Sequence, residues 1–216
     1  MAAKYGIPSD TVEREKVLAR LNKEFSDNGG HIDVGFIGTQ LFFEVLAENG
    51  LNDVAYGAMN KRDIPSFGWW IDQGATTFWE RWDGESSNDH PMFGGSITWF
   101  YRKLAGFNAD ESQPGYRHII FRPQPVADIS YTKYSTQTPY GYASVYWRKE
   151  NASFSMEIKV PVGSTATVYL PLMTKSKSAD KDILSKNKMK YAGYKGIADG
   201  YAIYNVKSGT YKFYAN

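Results

Sequence analysis

Cysteine is absent, which excludes disulfide crosslinks and thiolate metal sites and leaves the redox compartment open. Histidine is scarce: His31, His90 and His118 stand far apart with no HxxxH or HExxH spacing, so no zinc site is expected. No apolar run approaches the roughly 20 residues that a membrane helix requires, and Met1 to Pro8 lacks the apolar stretch of a signal peptide. The chain is therefore expected to be soluble, without a membrane partner, and to carry no address that separates cytoplasm from periplasm. Nor does it hold a nucleotide-binding glycine loop, a nucleophilic triad or a metal cage, so no cofactor is expected.

Charge of one sign is missing overall, since the net is only +2, yet the two halves differ. Residues 1–108 carry 10 basic and 15 acidic side chains, and residues 109–216 carry 15 and 8. That asymmetry predicts two domains, 1–108 and 109–216. The later basic excess is spread over lysines such as Lys175, Lys181, Lys188 and Lys195 with no arginine–aromatic ladder, which favours a solvated surface over a nucleic-acid site. An apolar fraction of 42% is that of an ordinary globular core.

In the first half the apolar positions Val12, Val17, Leu18, Leu21 and Phe25 recur at three- and four-residue steps, predicting an amphipathic helix capped at Ser9 or Asp10 and closed by Gly29-Gly30. Thr39 is a second candidate cap, ahead of the apolar run Leu41-Phe42-Phe43-Glu44-Val45-Leu46. A helix that apolar must be buried on most sides, so a partner surface or self-association is expected to cover it. Further helices are predicted from Asn52 or Asp53, within Gly74 to Arg81, and from Pro91 to Leu104.

The period changes at Pro114-Gly115. Two-residue alternation then marks strands at 116–121, 129–138, 142–149, 153–160, 165–170, 201–206 and 210–214, separated by turns such as Pro139-Tyr140-Gly141 and Lys207-Ser208-Gly209. Short strands at this spacing predict an antiparallel β-sandwich. Residues 171–200 read as a long loop with one weak strand at 188–191.

Chemistry concentrates between Trp69 and Gly95, which hold four of the six tryptophans and one of the three histidines. Aromatic faces stack on the C–H face of a pyranose while carboxylates and imidazoles reach its hydroxyls, so this mixture suits a sugar. A tryptophan-rich core helix with caps at Thr76 and Asp89 explains the same stretch as packing alone.

The order of Gly30-His31-Ile32-Asp33-Val34-Gly35, Leu46-Ala47-Glu48-Asn49-Gly50, Asp72-Gln73-Gly74-Ala75-Thr76-Thr77-Phe78-Trp79-Glu80-Arg81-Trp82, His90-Pro91-Met92-Phe93-Gly94 and Phe121-Arg122-Pro123-Gln124-Pro125 resembles the C-terminal part of bacterial α-L-rhamnosidases of glycoside hydrolase family 78. The tryptophan-rich run is the specific part. The resemblance implies part of an (α/α)6 barrel, with about five helices present, followed by a β-sandwich. It implies an inverting hydrolysis of terminal α-L-rhamnosyl residues, with Glu80 as general base and His90 touching the sugar, although Asp89 stands where the family has asparagine. Trp69, Trp70, Asp33 and Asp72 are candidate substrate-binding residues; a helix cap explains the two aspartates equally well. His31 and His118 are expected to be structural.

The family's general acid lies in earlier barrel helices, so the chain reads as the tail of a longer enzyme. As partner acids it offers Asp33, Asp72, Asp83, Glu85 and Asp89, none singled out by its surroundings. The partners expected are a rhamnoside and either the missing N-terminal portion of the barrel or a second copy. The alternative is a non-catalytic module of such an enzyme that binds carbohydrate or protein.

Overall fold

The computed structural model describes residues 4–5, 7–32, 34–173 and 193–215. It divides into two compact units, Met1–Trp99 and Phe100–Asn216. The weak strand expected at 188–191 lies outside the described residues.

The first unit is helical. Helix α1 (Thr11–Asp27) starts where the Asp10 carboxylate accepts from the Glu13 amide at 2.9 Å. It ends before Gly29 and Gly30, both at positive φ, where glycine carries no Cβ penalty. No α1 residue is buried, and its apolar stripe is only partly covered. Helix α2 (Phe36–Glu48) begins earlier than a Thr39 cap predicts; Gly35 is the cap. Thr39 lies inside the first turn, fully buried, and donates its hydroxyl to the Gly35 carbonyl at 3.1 Å.

Helix α2 is the centre of this unit. It packs against α3 (Asn52–Met59), against a 3-10 turn at Pro91–Ser96 and against the short α5 (Ile97–Trp99). Leu41 is only partly covered, while Phe42, Phe43, Val45 and Leu46 are buried by the chain's own elements, although a partner surface was expected to cover them. Each such side chain contributes roughly 1.5–3 kcal/mol on burial. Trp99 is buried with its indole N–H donating to Asn52 Oδ1 at 2.7 Å, which satisfies the polar atom of the ring.

Helix α4 (Phe67–Asp72) is capped by the buried Ser66, whose hydroxyl oxygen accepts from the Trp69 amide at 3.0 Å. The helix predicted over Gly74 to Arg81 is absent. Gly74, at φ +82, turns the chain away from the end of α4, and the segment pairs instead with residues further along. Among the described residues no helix is long and apolar enough to cross a membrane.

The second unit opens with a π-helical turn, Phe100–Leu104. Its nine described strands are β1 (Phe107–Ala109), β2 (His118–Phe121), β3 (Tyr131–Thr138), β4 (Gly141–Glu150), β5 (Ser153–Val160), β6 (Thr165–Pro171), β7 (Gly193–Ala198), β8 (Tyr201–Val206) and β9 (Gly209–Ala215). They form two sheets, ordered β1-β2-β6-β8-β7 and β3-β4-β5-β9. The inner faces meet where the Tyr204 and Phe213 rings lie 5.1 Å apart, and Trp147 is buried with its indole donating to the Leu104 carbonyl at 2.9 Å. The sandwich departs from expectation in three ways: β1 lies ahead of the first predicted strand, β2 and β6 are parallel, and β7 occupies part of the predicted loop.

His118 braces the parallel pair. Its Nε2 lies 2.9 Å from Thr167 Oγ1 and its Nδ1 2.7 Å from Thr165 Oγ1. Because the Thr167 hydroxyl donates onward to Asn205 Oδ1 at 3.1 Å, it accepts from Nε2–H, leaving Nδ1 to accept from Thr165.

Candidate active site

The stretch that follows α4 folds back on itself in a narrow loop. The Glu80 amide donates to the Ser87 carbonyl at 2.8 Å and the His90 amide to the Phe78 carbonyl at 2.8 Å, while the Thr77 hydroxyl bonds the Asn88 carbonyl. At its turn Gly84 takes φ +77 against Trp79, where a Cβ would fall 2.8 Å from the indole ring. Glycine meets both demands at no steric cost. Next to it Asp83 accepts from the Glu85 amide at 3.0 Å and from Arg81 at 2.5 Å.

An aromatic cluster anchors the loop. Trp70 stacks on Trp82 with centroids 4.5 Å apart, and Phe67 and Phe93 pack edge-on against Trp70 at 5.5 and 5.3 Å. The Trp70 indole donates to the Trp82 carbonyl at 3.0 Å, and the Trp82 indole to the Val34 carbonyl at 3.4 Å. Aromatics with satisfied N–H groups therefore fix Trp82, two residues beyond Glu80.

Glu80 stands on the wall of an open cleft of 520 Å³ that Ile64, Pro65, Arg81, Trp82 and Asp83 also line. Its Oε2 accepts from the Ser86 hydroxyl at 2.6 Å and from the Ser87 amide at 3.3 Å; Oε1 shows no hydrogen bond from a described residue. The Ser86 hydroxyl, then the Ser87 amide, hold the carboxyl below its ordinary value of 4.5, with smaller contributions from His90 and Arg81. The carboxylate is thus ionised at neutral pH and able to take a proton. Asp83, on the same wall, is also pushed down, by the Glu85 amide first and then by Arg81, so it is poorly suited to donate one.

The other expected site residues separate. His90 is half-buried and tied by its backbone to Phe78, within electrostatic reach of Glu80. Trp69 is partly exposed and meets Trp79 edge-on at 6.0 Å. Trp70 corrects the expectation: only 2% exposed, it is a core residue whose faces its aromatic neighbours cover. Asp72 lies exposed at the end of α4, bridged by Arg62 Nε at 2.9 Å, and none of Asp72, His90 and Trp69 is among the described residues that line the cleft. Asp33 lies outside the described residues. His31 ties its Nδ1 to the Pro65 carbonyl at 3.2 Å and its Nε2 to Asp63 at 3.0 Å, a structural placement. Ser86 and Ser87 carry no motif that would single them out, although a serine pair after Gly84 marks where a turn returns hydroxyl and amide to Glu80.

The comparisons with known proteins extend over both units. The family model for the bacterial alpha-L-rhamnosidase 6 hairpin glycosidase domain matches residues 2–104, and that for the bacterial alpha-L-rhamnosidase C-terminal domain matches residues 106–184. The chain is 29% identical over 194 residues to an alpha-L-rhamnosidase of Streptomyces avermitilis, covering 85% of this chain and 18% of that protein. An alpha-L-rhamnosidase of Formosa agariphila is 32% identical over 169 residues, covering 73% of this chain and 18% of its own length. Among solved structures, the Streptomyces avermitilis alpha-L-rhamnosidase complexed with L-rhamnose superposes with a TM-score of 0.84 at 28% identity, over 96% of this chain and 20% of that one. The alpha-L-rhamnosidase from Dictyoglumus thermophilum gives 0.77 at 33% identity, over 92% and 22%. The chain thus spans about a fifth of the length of its relatives.

Proposed function

The chain belongs to the bacterial α-L-rhamnosidases, matching their 6 hairpin glycosidase and C-terminal domains, and from that premise we propose that it supplies the general base and part of the sugar pocket for inverting hydrolysis of terminal α-L-rhamnosides. The base is Glu80. One observation carries the assignment: Glu80 is an ionised carboxylate on the wall of an open cleft, anchored by described residues through Oε2 and not Oε1.

In the proposed reaction Oε1 takes a proton from water, whose oxygen attacks the anomeric carbon on the face opposite the departing group. A second carboxyl, roughly 6.5–9.5 Å from the first in inverting enzymes, protonates the leaving oxygen. That acid needs a raised pKa. Among the described carboxyls with a displaced pKa, namely Glu44, Asp63, Glu80, Asp83 and Asp110, every displacement is downward. In this reading the acid is supplied by the remainder of the glycosidase domain. His90 and Trp69 are the proposed sugar contacts, one polar and one stacking.

The proposed partner of the helical unit is that same remainder. Helix α1 supports this: a 17-residue amphipathic helix with no buried residue presents an apolar stripe that its own unit leaves partly open. The test compares this chain with a protein that carries a complete glycosidase domain. This chain alone is expected to show little or no hydrolysis of an aryl α-L-rhamnoside, and the complete protein to turn it over. Robust turnover by this chain alone would overturn the division of labour.

A further inference from the structure

The outer face of the β3-β4-β5-β9 sheet is a second candidate surface, on a different unit from Glu80. Four tyrosines stand on it: Tyr131, Tyr142, Tyr146 and Tyr214 are 63%, 43%, 37% and 44% exposed. A solvent-facing sheet face usually carries polar residues in these positions, so four half-exposed rings on one face call for a reason. Register places them. Tyr131 lies opposite Arg148, which lies opposite Ser155, which lies opposite Tyr214; the next row runs Lys133, Tyr146, Glu157, Lys212. From ordinary strand spacing and rise, Tyr146 stands about 8 Å from Tyr131 and about 12 Å from Tyr214 across the backbone.

The surroundings of the rings are polar and mainly basic. A shallow notch of 120 Å³ opens between Tyr146 and Tyr214, with Ser155, Glu157 and Lys212 along it. Lys212 is held by Glu157 at 2.9 Å and Arg148 by Glu150 at 2.5 Å, while Lys159 lies 5.1 Å over the Tyr142 ring. Four cations, Lys133, Arg148, Lys159 and Lys212, thus face two carboxylates, and the hydroxyls of Ser135, Ser144, Ser155 and Thr210 fill the rows between them.

We propose that this face binds an acidic polysaccharide, a uronate-bearing glycan chain that stacks sugar rings on Tyr146 and Tyr214 and meets the excess positive charge with its carboxylates. The inference is independent of the hydrolytic reading. Flat rings suit the C–H faces of pyranoses, and the flanking hydroxyls suit a ligand rich in hydroxyls. A nucleic acid would meet the same excess of positive charge, and oligouridylate in the test separates it; the serine and threonine hydroxyls along the rows favour a ligand whose own surface is hydroxyls.

The test is calorimetric titration of this chain with polygalacturonate, beside neutral xylan, poly-L-glutamate and oligouridylate. Polygalacturonate is expected to bind, and to bind more weakly as salt rises. Tyr146→Ala and Tyr214→Ala should each weaken binding roughly threefold to tenfold, the range for a lost aromatic stack, with Tyr146→Phe restoring it. Lys133→Glu should weaken it while leaving the melting curve in place. Equal binding of xylan, poly-L-glutamate or oligouridylate would overturn the proposal. So would absence of polygalacturonate binding, or indifference to both alanine variants, which would put the glycan elsewhere on the chain.

Discussion

Changing Glu80→Gln separates chemistry from architecture. The amide oxygen of glutamine can still accept from the Ser86 hydroxyl and the Ser87 amide, which now reach one carboxylate oxygen at 2.6 and 3.3 Å. The loop keeps its shape, and the lost property is the ability to hold a proton. Removing a general base costs about 10²–10⁴ in rate, so kcat should fall by that factor in a protein with a complete glycosidase domain, with substrate affinity nearly unchanged. Glu80→Asp gives an independent reading: one methylene fewer withdraws the carboxylate by about 1.5 Å, which strains its hold on Ser86 and retracts the base, a displacement on the scale that costs about 10². Single-turnover hydrolysis of an aryl α-L-rhamnoside measures the chemical step, and a thermal melt on the same samples measures the fold. A Glu80→Gln protein that melts early but hydrolyses normally would refute the assignment and leave Glu80 a structural acid.

The pH dependence carries a sign. Glu80 is depressed in the folded protein, so its contribution to stability is present above the unfolded value and is lost as pH falls below about 4.5 through the folded value. Ser86→Ala removes the largest cause of the depression, so the acid limb of kcat/KM should move to higher pH and the acid loss of stability should shrink; an unmoved limb would count against Glu80 as the titrating base. Gly84→Ala sets a Cβ 2.8 Å from the Trp79 ring at φ +77 and should destabilise the loop by about 1–3 kcal/mol, read in urea melts and in tryptophan fluorescence. Asn52→Leu removes the acceptor of the buried Trp99 indole and should cost about 1–3 kcal/mol in the helical unit, read in the same melts. Gly106→Ala would put a Cβ 2.1 Å from the Pro123 nitrogen, and loss of soluble folded protein is the expected outcome on expression.

Local periodicity made much of this fold legible. The stripe Val17, Leu18, Leu21, Phe25 and the Asp10 cap give α1, and strict alternation gives β5 and β8 to the residue. What failed depends on distant partners. The run after Gly74 looks helical because Phe78 and Trp82 stand four apart, yet bonds to residues 87–90 decide its shape. Strand β7 escaped because it contains Gly193 and Gly196 and pairs through an irregularity between Tyr194 and Gly196. Within the candidate site, the family motif points to Glu80 but says nothing of Ser86, whose hydroxyl reaches it only across a turn. Trp69 and Trp70 are adjacent on a helix, about 100° apart around its axis, and composition cannot choose which of them turns inward.

The parallel pairing of β2 with β6 imposes an order on how this unit comes together. Strands β3, β4 and β5 are joined by tight turns and can zip as local hairpins on a microsecond scale. His118 and Thr165 are 47 residues apart, and closing a loop of that length rather than a two-residue turn costs about 3 kcal/mol more in chain entropy. The meander can therefore form first and serve as a template, with the five-stranded sheet assembling late. A chain emerging from the ribosome would carry β2 without its β6 neighbour until residue 171 had been made. During that interval Ile119 and Phe121, fully buried once the sheet is complete, lack the strand that flanks them, and chaperone capture should fall most heavily on this stretch.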